Sequence, residues 1–275
     1  MQNLNLILLS GGCNQCTPTW NEDPSGKGNC YKLYFPVEGK SRIFADGEWY
    51  ELEEGNAYFI NGFILEKQRC DDYMKVYWLH FIPESQFLSM YFNNLKPVYC
   101  WEQGNALLAS IDYKKIPLLF DNQYTKSKEL VEMSSLSLNC YINSIALMFI
   151  SDMVEQQNSD FSSSYYHLYF KLKPALEFIN DNYMNDLKLE DISQKIFLNP
   201  IYFSRLFKKC FKVTPSRYIN MIRMNEACRL LMKTDLSILE ISENTGFCNQ
   251  FYFSKVFKHN FRKTPLEYRI TKLSP

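Results

Sequence analysis

The last hundred or so residues contain one sequence motif twice, at a spacing of about fifty residues. Residues 202–208 read YFSRLFK, and residues 252–258 read YFSKVFK. The match continues on both sides, and it pairs Ile192-Ser193 with Ile241-Ser242, Phe211 with Phe261, Thr214-Pro215 with Thr264-Pro265, and Tyr218 with Tyr268. Such a repeat indicates two copies of one structural unit, and each copy has the pattern of a helix-turn-helix.

Helix start signals divide the repeated region into separate helices. The Asn199-Pro200 pair predicts an N-cap and a first-turn proline, so a helix should run from there to about residue 210. Ser237, with Glu240 three residues later, predicts a capping box ahead of the second copy. Residues 218–233 predict one continuous helix between the two copies, which would fix the distance between them.

Charge is divided unequally along the chain, although the formal net charge is zero. Residues 1–166 contain 12 Lys and Arg against 20 Asp and Glu, a net charge of −8. Residues 167–275 contain 18 against 10, a net charge of +8. The basic half is the repeated half, so it is the part expected to attract nucleic-acid phosphates, whereas the acidic half would be repelled.

Cysteine usage and hydropathy indicate the compartment. Nine cysteines at irregular spacing do not predict a disulfide framework, and they favour a reducing cytoplasm. Cys13 and Cys16 have a metal-like or redox-like spacing, but no second close pair accompanies them. No run approaches the eighteen or so apolar residues that a membrane span needs, so we expect a cytoplasmic protein. We also expect no cofactor.

The second helix of a helix-turn-helix enters the major groove, and residues near its start meet base edges. The apolar stripes of these helices are predicted to be buried, and they comprise Phe203, Leu206, Phe207, Phe253, Val256 and Phe257. The outer faces supply the predicted base contacts, Ile201, Ser204 and Arg205 in the first copy and Gln250, Phe251, Ser254 and Lys255 in the second. Predicted phosphate contacts follow towards the helix ends, at Lys208, Lys209, Lys258 and His259.

Arg205 and Lys255 carry the most weight among these residues. A single basic residue on an exposed helix is usually only solvated, but these two occupy equivalent positions in the two copies. Arg205 has the donor geometry for guanine, and Gln250 has the amide geometry for adenine.

The region 168–268 resembles the DNA-binding half of the AraC/XylS family of bacterial transcription regulators. The resemblance rests on the two-copy layout, on the connecting helix that ends in residues 227–231 (ACRLL), and on the run from Ile241 to Tyr268 with its Gly246-Phe247 turn. It implies two recognition helices in successive major grooves of operator DNA, activation of transcription and contact with RNA polymerase. Phe197 departs from the pattern, because the first copy should have its turn glycine there. Ile201 and Phe251 place apolar groups at base-contact positions, which would favour thymine methyl groups.

The N-terminal half predicts short strands separated by tight turns. Runs rich in aromatic and β-branched residues lie at 32–35, 42–45, 49–52, 57–60 and 74–82. This spacing is typical of a small barrel or sandwich, and the stretch from Asp46 to Ile60 together with residues 77–81 is similar to the cupin-like sensor domain of the same family.

Ligand chemistry in this half is predicted only weakly. Trp78 and His80 would share one face of a strand and, with Arg42, could contact a small organic effector. His80 is the only histidine in this region, whereas enzymatic cupins bind metal through clustered histidines, so we expect no metal and no catalytic residues. The aromatic residues could equally fill a small barrel.

A helix is predicted over residues 126–157, and Leu138, Ile142, Ile145 and Phe149 form its apolar face. That face could cover the barrel or dimerise the chain. The predicted division is therefore a sensor domain at 1–125, a helical segment at 126–157, a linker at 158–166 and a double helix-turn-helix domain at 167–275. The predicted fold is multidomain α and β, with an N-terminal cupin-like barrel and an all-α C-terminal domain whose two motifs are joined by a long helix.

The sequence therefore predicts a DNA-binding transcription regulator. Two other classes stay open, a metal-dependent cupin-type enzyme fused to a DNA-binding domain and a non-specific nucleic-acid-binding protein.

Overall fold

The computed structural model describes residues 5–22, 30–120, 128–156, 163–261 and 263–270. Backbone contacts separate these residues into two compact units. The sheet unit comprises residues 5–84 and 96–156, and the helical unit comprises residues 85–95 and the described residues from 163 to 270. The predicted combination of an N-terminal β-unit and an all-α C-terminal unit is confirmed.

The described residues of the sheet unit form an antiparallel sheet of seven strands. The strands are β1 (Leu6–Cys16), β2 (Tyr31–Ala45), β3 (Glu48–Glu53), β4 (Ala57–Asn61), β5 (Leu65–Arg69), β6 (Met74–Pro83) and β7 (Val98–Trp101). Residues 31–39 of β2 pair with β6 and partly with β4, while residues 40–45 pair with β3 and β5. The runs 32–35 and 42–45, predicted as two strands, are therefore parts of one strand.

One apolar core cluster contains side chains from both groups of strands that β2 joins. Its buried members include Tyr34, Ile43, Leu52, Tyr58, Ile60, Leu65, Val76 and Val98. Tyr34 and Ile43 come from the two different parts of β2, so burial of this cluster holds the two groups together. Closure into a cupin-like barrel stays a prediction.

Helices cover the sheet unit, and they are α2 (Ala106–Ala109), α3 (Lys115–Phe120) and α4 (Lys128–Gln156), with a short 3-10 helix at Pro18–Glu22. The ring of Phe149 in α4 lies 5.6 Å from the Phe35 ring and 4.5 Å from the Trp101 ring, measured between centroids. The indole N–H of Trp101 donates a hydrogen bond to Asp152 at 2.7 Å. These contacts attach α4 to the sheet.

The predicted apolar face of α4 is thus occupied inside the sheet unit. Ile142, Ile145 and Phe149 are buried there, and Leu138 is half-buried. Residues 136–156 are also long and apolar enough, by length and composition alone, to cross a membrane. The buried residues of this span pack on the sheet, whereas Leu136 and Met148 are exposed, so a dimer contact would need a different face of the helix.

The helical unit contains α1 (Gln86–Asn93), α5 (Ser163–Asn182), α6 (Leu189–Gln194), α7 (Pro200–Phe211), α8 (Pro215–Lys233), α9 (Ile238–Asn244), α10 (Gln250–Phe261) and α11 (Pro265–Ile270). Helices α6 and α7 form the first helix-turn-helix, and α9 and α10 form the second. The predicted capping box is present, because Ser237 N–H donates to the Glu240 carboxylate at 2.7 Å and Glu240 N–H donates to Ser237 Oγ at 3.2 Å.

Each helix-turn-helix has its own apolar core. The first contains Phe203, Phe207 and Phe211, and the second contains Phe253 and Phe257. Helix α8, which was predicted to be continuous, contributes to both cores: Ile219 packs in the first, whereas Met224, Ala227 and Leu231 pack in the second.

Helix α1 packs in the helical unit although it lies between β6 and β7 in the sequence. Phe87 and Met90 are buried in the first core, and the Phe87 ring lies 5.2 Å from the Tyr169 ring. The Asn94 side chain donates to the carbonyl of Cys210 at 2.7 Å. The predicted boundaries place this segment in the sensor domain, so the helical unit has a component that the sequence did not reveal.

The predicted linker at 158–166 falls largely outside the described residues. Its residues 158–162 are not among them, and residues 163–166 are the first residues of α5.

Candidate nucleic-acid interface

The first reading helix, α7, is oriented by aromatic side chains on its inner face. Phe203 and Phe207 are fully buried, and the Phe207 ring lies 4.6 Å from the Phe211 ring between centroids. Asn199 Oδ1 accepts a hydrogen bond from the Ile201 N–H at 2.9 Å, so the predicted N-cap is confirmed. The opposite face of α7 is consequently turned to solvent.

The predicted contact residues of the first copy lie on this outward face. Ile201 is 65% exposed, Arg205 is exposed, and Ser204 is half-buried. Residues three and four apart are neighbours on a helix surface, so Ile201, Ser204, Arg205 and Lys208 share one side of α7. The structure therefore brings together residues that can contact a groove at the same time.

The second reading helix, α10, repeats this arrangement. Phe253 and Phe257 are fully buried, with ring centroids 5.6 Å apart. Asn249 Oδ1 accepts a hydrogen bond from the Tyr252 N–H at 2.7 Å. On the outer side, Phe251 is 87% exposed and Lys255 is exposed, while Gln250 and Ser254 are half-buried.

The predicted phosphate contacts lie at the C-terminal ends of the two reading helices. Lys208 and Lys209 are in the last turn of α7, and Lys258 and His259 are in the last turn of α10. All four are exposed. The positive charge of the three lysines at this end also interacts favourably with the helix dipole, so they stabilise the helices while their charged groups stay in solvent.

Two tyrosines on the outer faces were missed by the sequence reasoning. Tyr202 and Tyr252 occupy equivalent positions, and each is 51% exposed. The Lys171 ammonium lies 5.7 Å from the centroid of the Tyr202 ring. Their phenolic hydroxyl groups were a signal that could have separated them from the buried phenylalanines beside them.

The turns between the paired helices differ in their surroundings. Gly246 has φ +75°, and a Cβ added there would lie 2.5 Å from the carbonyl oxygen of Met184. Phe197, at the equivalent place in the first copy, has φ +54° and is 96% exposed. The second turn requires glycine because of the close backbone contact, whereas the first accommodates Phe197 by directing the side chain into solvent.

Comparison with known proteins places both motifs in one domain. A helix-turn-helix domain model matches residues 192–270. The regulatory protein PocR of Salmonella typhimurium is 31% identical over 148 residues, which cover 54% of this chain and 48% of PocR. The Msm operon regulatory protein of Streptococcus mutans is 25% identical over 255 residues, which cover 90% of this chain and 86% of that protein. Residues 192–270 thus form a helix-turn-helix domain of the AraC type, and the relatives that share it are bacterial regulators.

A solved structure has the same overall fold as this chain. The crystal structure of ToxT from Vibrio cholerae O395 matches with a TM-score of 0.56 over 98% of each chain. The two sequences are 16% identical, so this likeness describes the fold and no shared ligand. The chain spans about half the length of PocR but most of the Msm operon regulator.

Two predicted effector residues of the sheet unit lie side by side on β6. The ring centroids of Trp78 and His80 are 4.6 Å apart. The Lys32 ammonium donates to His80 Nε2 at 3.1 Å, and Ser10 Oγ lies 3.4 Å from Nδ1. Burial, and secondarily the charge of Lys32, lowers the pKa of His80 well below its usual value. The ring is therefore neutral at pH 7 and acts as a hydrogen-bond acceptor.

Arg42, the third predicted effector residue, has different surroundings. Its guanidinium is 3.3 Å from the Asp71 carboxylate and 5.0 Å from the centroid of the Trp49 ring. Trp49 also lines an open groove of about 590 Å³, whose lining includes Glu53 and Glu102. Arg42 thus contacts Asp71 and Trp49, whereas His80 contacts Lys32 and Trp78, so the structure gives Arg42 different neighbours from the other two predicted residues.

Among the residues that the structure describes, no group of three or more His, Cys, Asp or Glu side chains is placed to hold a metal ion.

Proposed function

We propose that the chain is a sequence-specific transcription activator that binds operator DNA with α7 and α10. The observation that carries this proposal is the pair of outward faces with basic residues at equivalent positions, Arg205 and Lys255. The unit that carries both faces also has the positive excess of the chain. Two such faces are what recognition of two groove segments requires.

In this proposal the exposed side chains divide the recognition between them. Arg205 donates to a guanine, and Gln250 pairs with an adenine. Ile201 and Phe251 contact thymine methyl groups, because apolar side chains offer no hydrogen bond to a base edge. The basic residues at the helix ends neutralise phosphates and set the register on the duplex.

The sheet unit has the regulatory role in this proposal. A small organic effector or a homodimer contact in that unit alters how the reading helices are presented to DNA, and RNA polymerase is the partner for activation. The protein acts in the cytoplasm and catalyses no reaction. Support comes from the family, because the relative aligned over most of the chain is named as an operon regulator.

The test removes both basic residues from the reading faces. We expect Arg205→Ala combined with Lys255→Ala to weaken binding to the preferred duplex by roughly 1–3 kcal/mol for each lost contact. The probe is a duplex that the wild-type chain enriches from a random pool, and affinity is measured by fluorescence anisotropy. Lys173→Ala is the matched control, since Lys173 is an exposed basic residue on α5 that pairs with Glu177 at 3.6 Å.

The same titration separates a specific regulator from a non-specific nucleic-acid-binding protein. A specific regulator prefers the enriched duplex over scrambled duplex, and its affinity falls steeply with salt because phosphates are neutralised. Equal affinity for both duplexes would indicate a non-specific binder. An unchanged affinity of the double variant would show that α7 and α10 are not the reading helices.

A further inference from the structure

Arg223 lies near the middle of α8, where this helix passes from one helix-turn-helix core to the other. Its Nε donates to the carbonyl of Tyr183 at 2.7 Å, and its Nη2 donates to the carbonyl of Asn185 at 2.8 Å. Both acceptors lie in the segment that follows α5, and α5 itself packs in the first core. A guanidinium that bonds two backbone carbonyls fixes the direction in which α8 leaves that core.

The same short segment also contacts the second helix-turn-helix. Met184, between the two carbonyl acceptors, lies so close to Gly246 that a Cβ on the glycine would be 2.5 Å from the Met184 oxygen. The Arg223 guanidinium carbon lies 5.7 Å from the centroid of the Phe247 ring. One loop and one arginine therefore contact both the connecting helix and the turn of the second motif.

The ring of Phe247 in turn contacts the second reading helix, α10. The Phe247 ring lies 5.3 Å from the Phe253 ring and 6.1 Å from the Tyr252 ring, and both partners are on α10. Apart from α8 itself, the buried residues of the two cores belong to separate clusters. A connection through one helix alone would leave bending and twisting between the motifs, and a second connection beside it restricts both.

We propose that Arg223 is a positioning residue for DNA recognition: together with residues 183–185 and the Gly246-Phe247 turn, it sets the orientation of α10 relative to α7. This inference rests on the proposed function, in which both helices read the same duplex. Two linked modules gain affinity from each other only when their geometry allows both to bind at once. A fixed orientation therefore makes the protein selective for the spacing between the two half-sites.

The experiment compares Arg223→Met with the wild-type full chain on three duplexes. The first is the duplex that the wild type enriches from a random pool, the second has two base pairs inserted between its half-sites, and the third keeps one half-site only. Methionine keeps an unbranched apolar stem like that of arginine, but it lacks the guanidinium and donates no hydrogen bond. Arg229→Met is the matched control, because Arg229 lies on the same helix and bonds to the Glu226 side chain instead.

We expect the insertion to weaken wild-type binding about tenfold or more, since the second half-site can no longer be reached. Arg223→Met should bind the original duplex about tenfold more weakly than the wild type, and the insertion should cost it little more. Its affinity for the single half-site should equal that of the wild type, which a general loss of folding would not allow. Arg229→Met should behave as the wild type on all three duplexes.

The second variant is Arg223→Lys. It keeps the positive charge, and its ammonium group donates to one of the two carbonyls instead of both. We expect an intermediate spacing preference, and this result decides the question if Arg223→Met does not fold. Wild-type affinity and wild-type spacing preference in the folded Arg223 variants would overturn the positioning role. A wild-type chain that enriches no sequence would overturn the proposed function itself, and with it this inference.

Discussion

Phe197 and Gly246 occupy the same place in the two helix-turn-helix motifs, and both have a left-handed backbone, with φ +54° and +75°. This conformation costs a residue other than glycine roughly 1–2 kcal/mol. Phe197 bears that cost with a side chain that is 96% exposed and so has little packing to lose. Gly246 has no such freedom, because Met184 fills the space that a Cβ would take.

Opposite effects on stability follow for the two positions. We expect Phe197→Gly to raise the free energy of unfolding by about 0.5–1 kcal/mol. Glycine relieves the backbone strain, and part of that gain is offset because unfolded glycine has a greater conformational entropy. Gly246→Ala should lower it by about 2 kcal/mol or more, through a left-handed alanine and a methyl group without space. Urea denaturation of the full chain measures both changes. A destabilised Phe197→Gly would mean that the phenylalanine makes contacts that compensate its strain.

The sequence predicted the positions of some functional residues and not of others. The outward positions of Arg205 and Lys255 followed from helical periodicity, because each lies two residues from a buried phenylalanine on either side and so falls on the opposite face. The role of Arg223 did not follow, since its acceptors are backbone carbonyls 38 and 40 residues earlier. Carbonyl groups have no residue identity, so no sequence motif marks such a contact.

The hydrogen bonds that cap a helix join residues that lie within one turn of each other. In the capping box of α9, the Ser237 side chain and then its backbone N–H lower the pKa of Glu240 by hydrogen bonding. A carboxyl group with a lowered pKa in the folded state stabilises the fold at pH values above its unfolded pKa, about 4.3. That contribution is lost as the pH falls through the lower, folded pKa.

We therefore expect Ser237→Ala to reduce the free energy of unfolding by about 1 kcal/mol at pH 7, the usual cost of a lost N-cap. The penalty should shrink as the pH is lowered from 5 to 3, because the protonated Glu240 no longer gains from the box. Thermal denaturation across this pH range measures the difference from the wild type. Ser216→Ala, an exposed serine early in α8, should show neither effect, and a penalty independent of pH would contradict the role of the carboxylate.

Strands were predicted less completely than helices for a physical reason. The caps of α7 and α9 need only residues within one turn, so a short stretch of sequence specifies them. Strand β1 contains Gly11, Gly12 and several polar residues, which do not favour a strand by themselves. The strand forms because it pairs with β6 along its whole length. Strand formation depends on such distant partners, which the alternation of side chains within one segment does not reveal.

At the scale of the whole molecule, position in the sequence and position in the fold differ for α1. The helix follows β6 and precedes β7, yet Phe87 and Met90 are buried in the first core of the helical unit. Gln86 donates to the carbonyl of Leu176 in α5 at 3.3 Å, and Asn94 donates to the carbonyl of Cys210 in α7 at 2.7 Å. No helix was predicted here, and the amphipathic pattern of eight residues does not specify the surface that its apolar side packs on.

The packing of α1 makes the stability of the DNA-binding unit depend on a residue of the N-terminal half. Met90 is fully buried, and replacing such a methionine by alanine costs roughly 2–5 kcal/mol. We expect Met90→Ala in the full chain to reduce hydrogen-exchange protection of backbone amides in α5 and α7, because local opening of these helices becomes easier. Met153→Ala is the control, since Met153 is equally buried but belongs to α4 of the sheet unit. It should reduce protection in the sheet unit and leave α5 and α7 unchanged. Loss of protection confined to the sheet unit in Met90→Ala would show that α1 does not support the first helix-turn-helix.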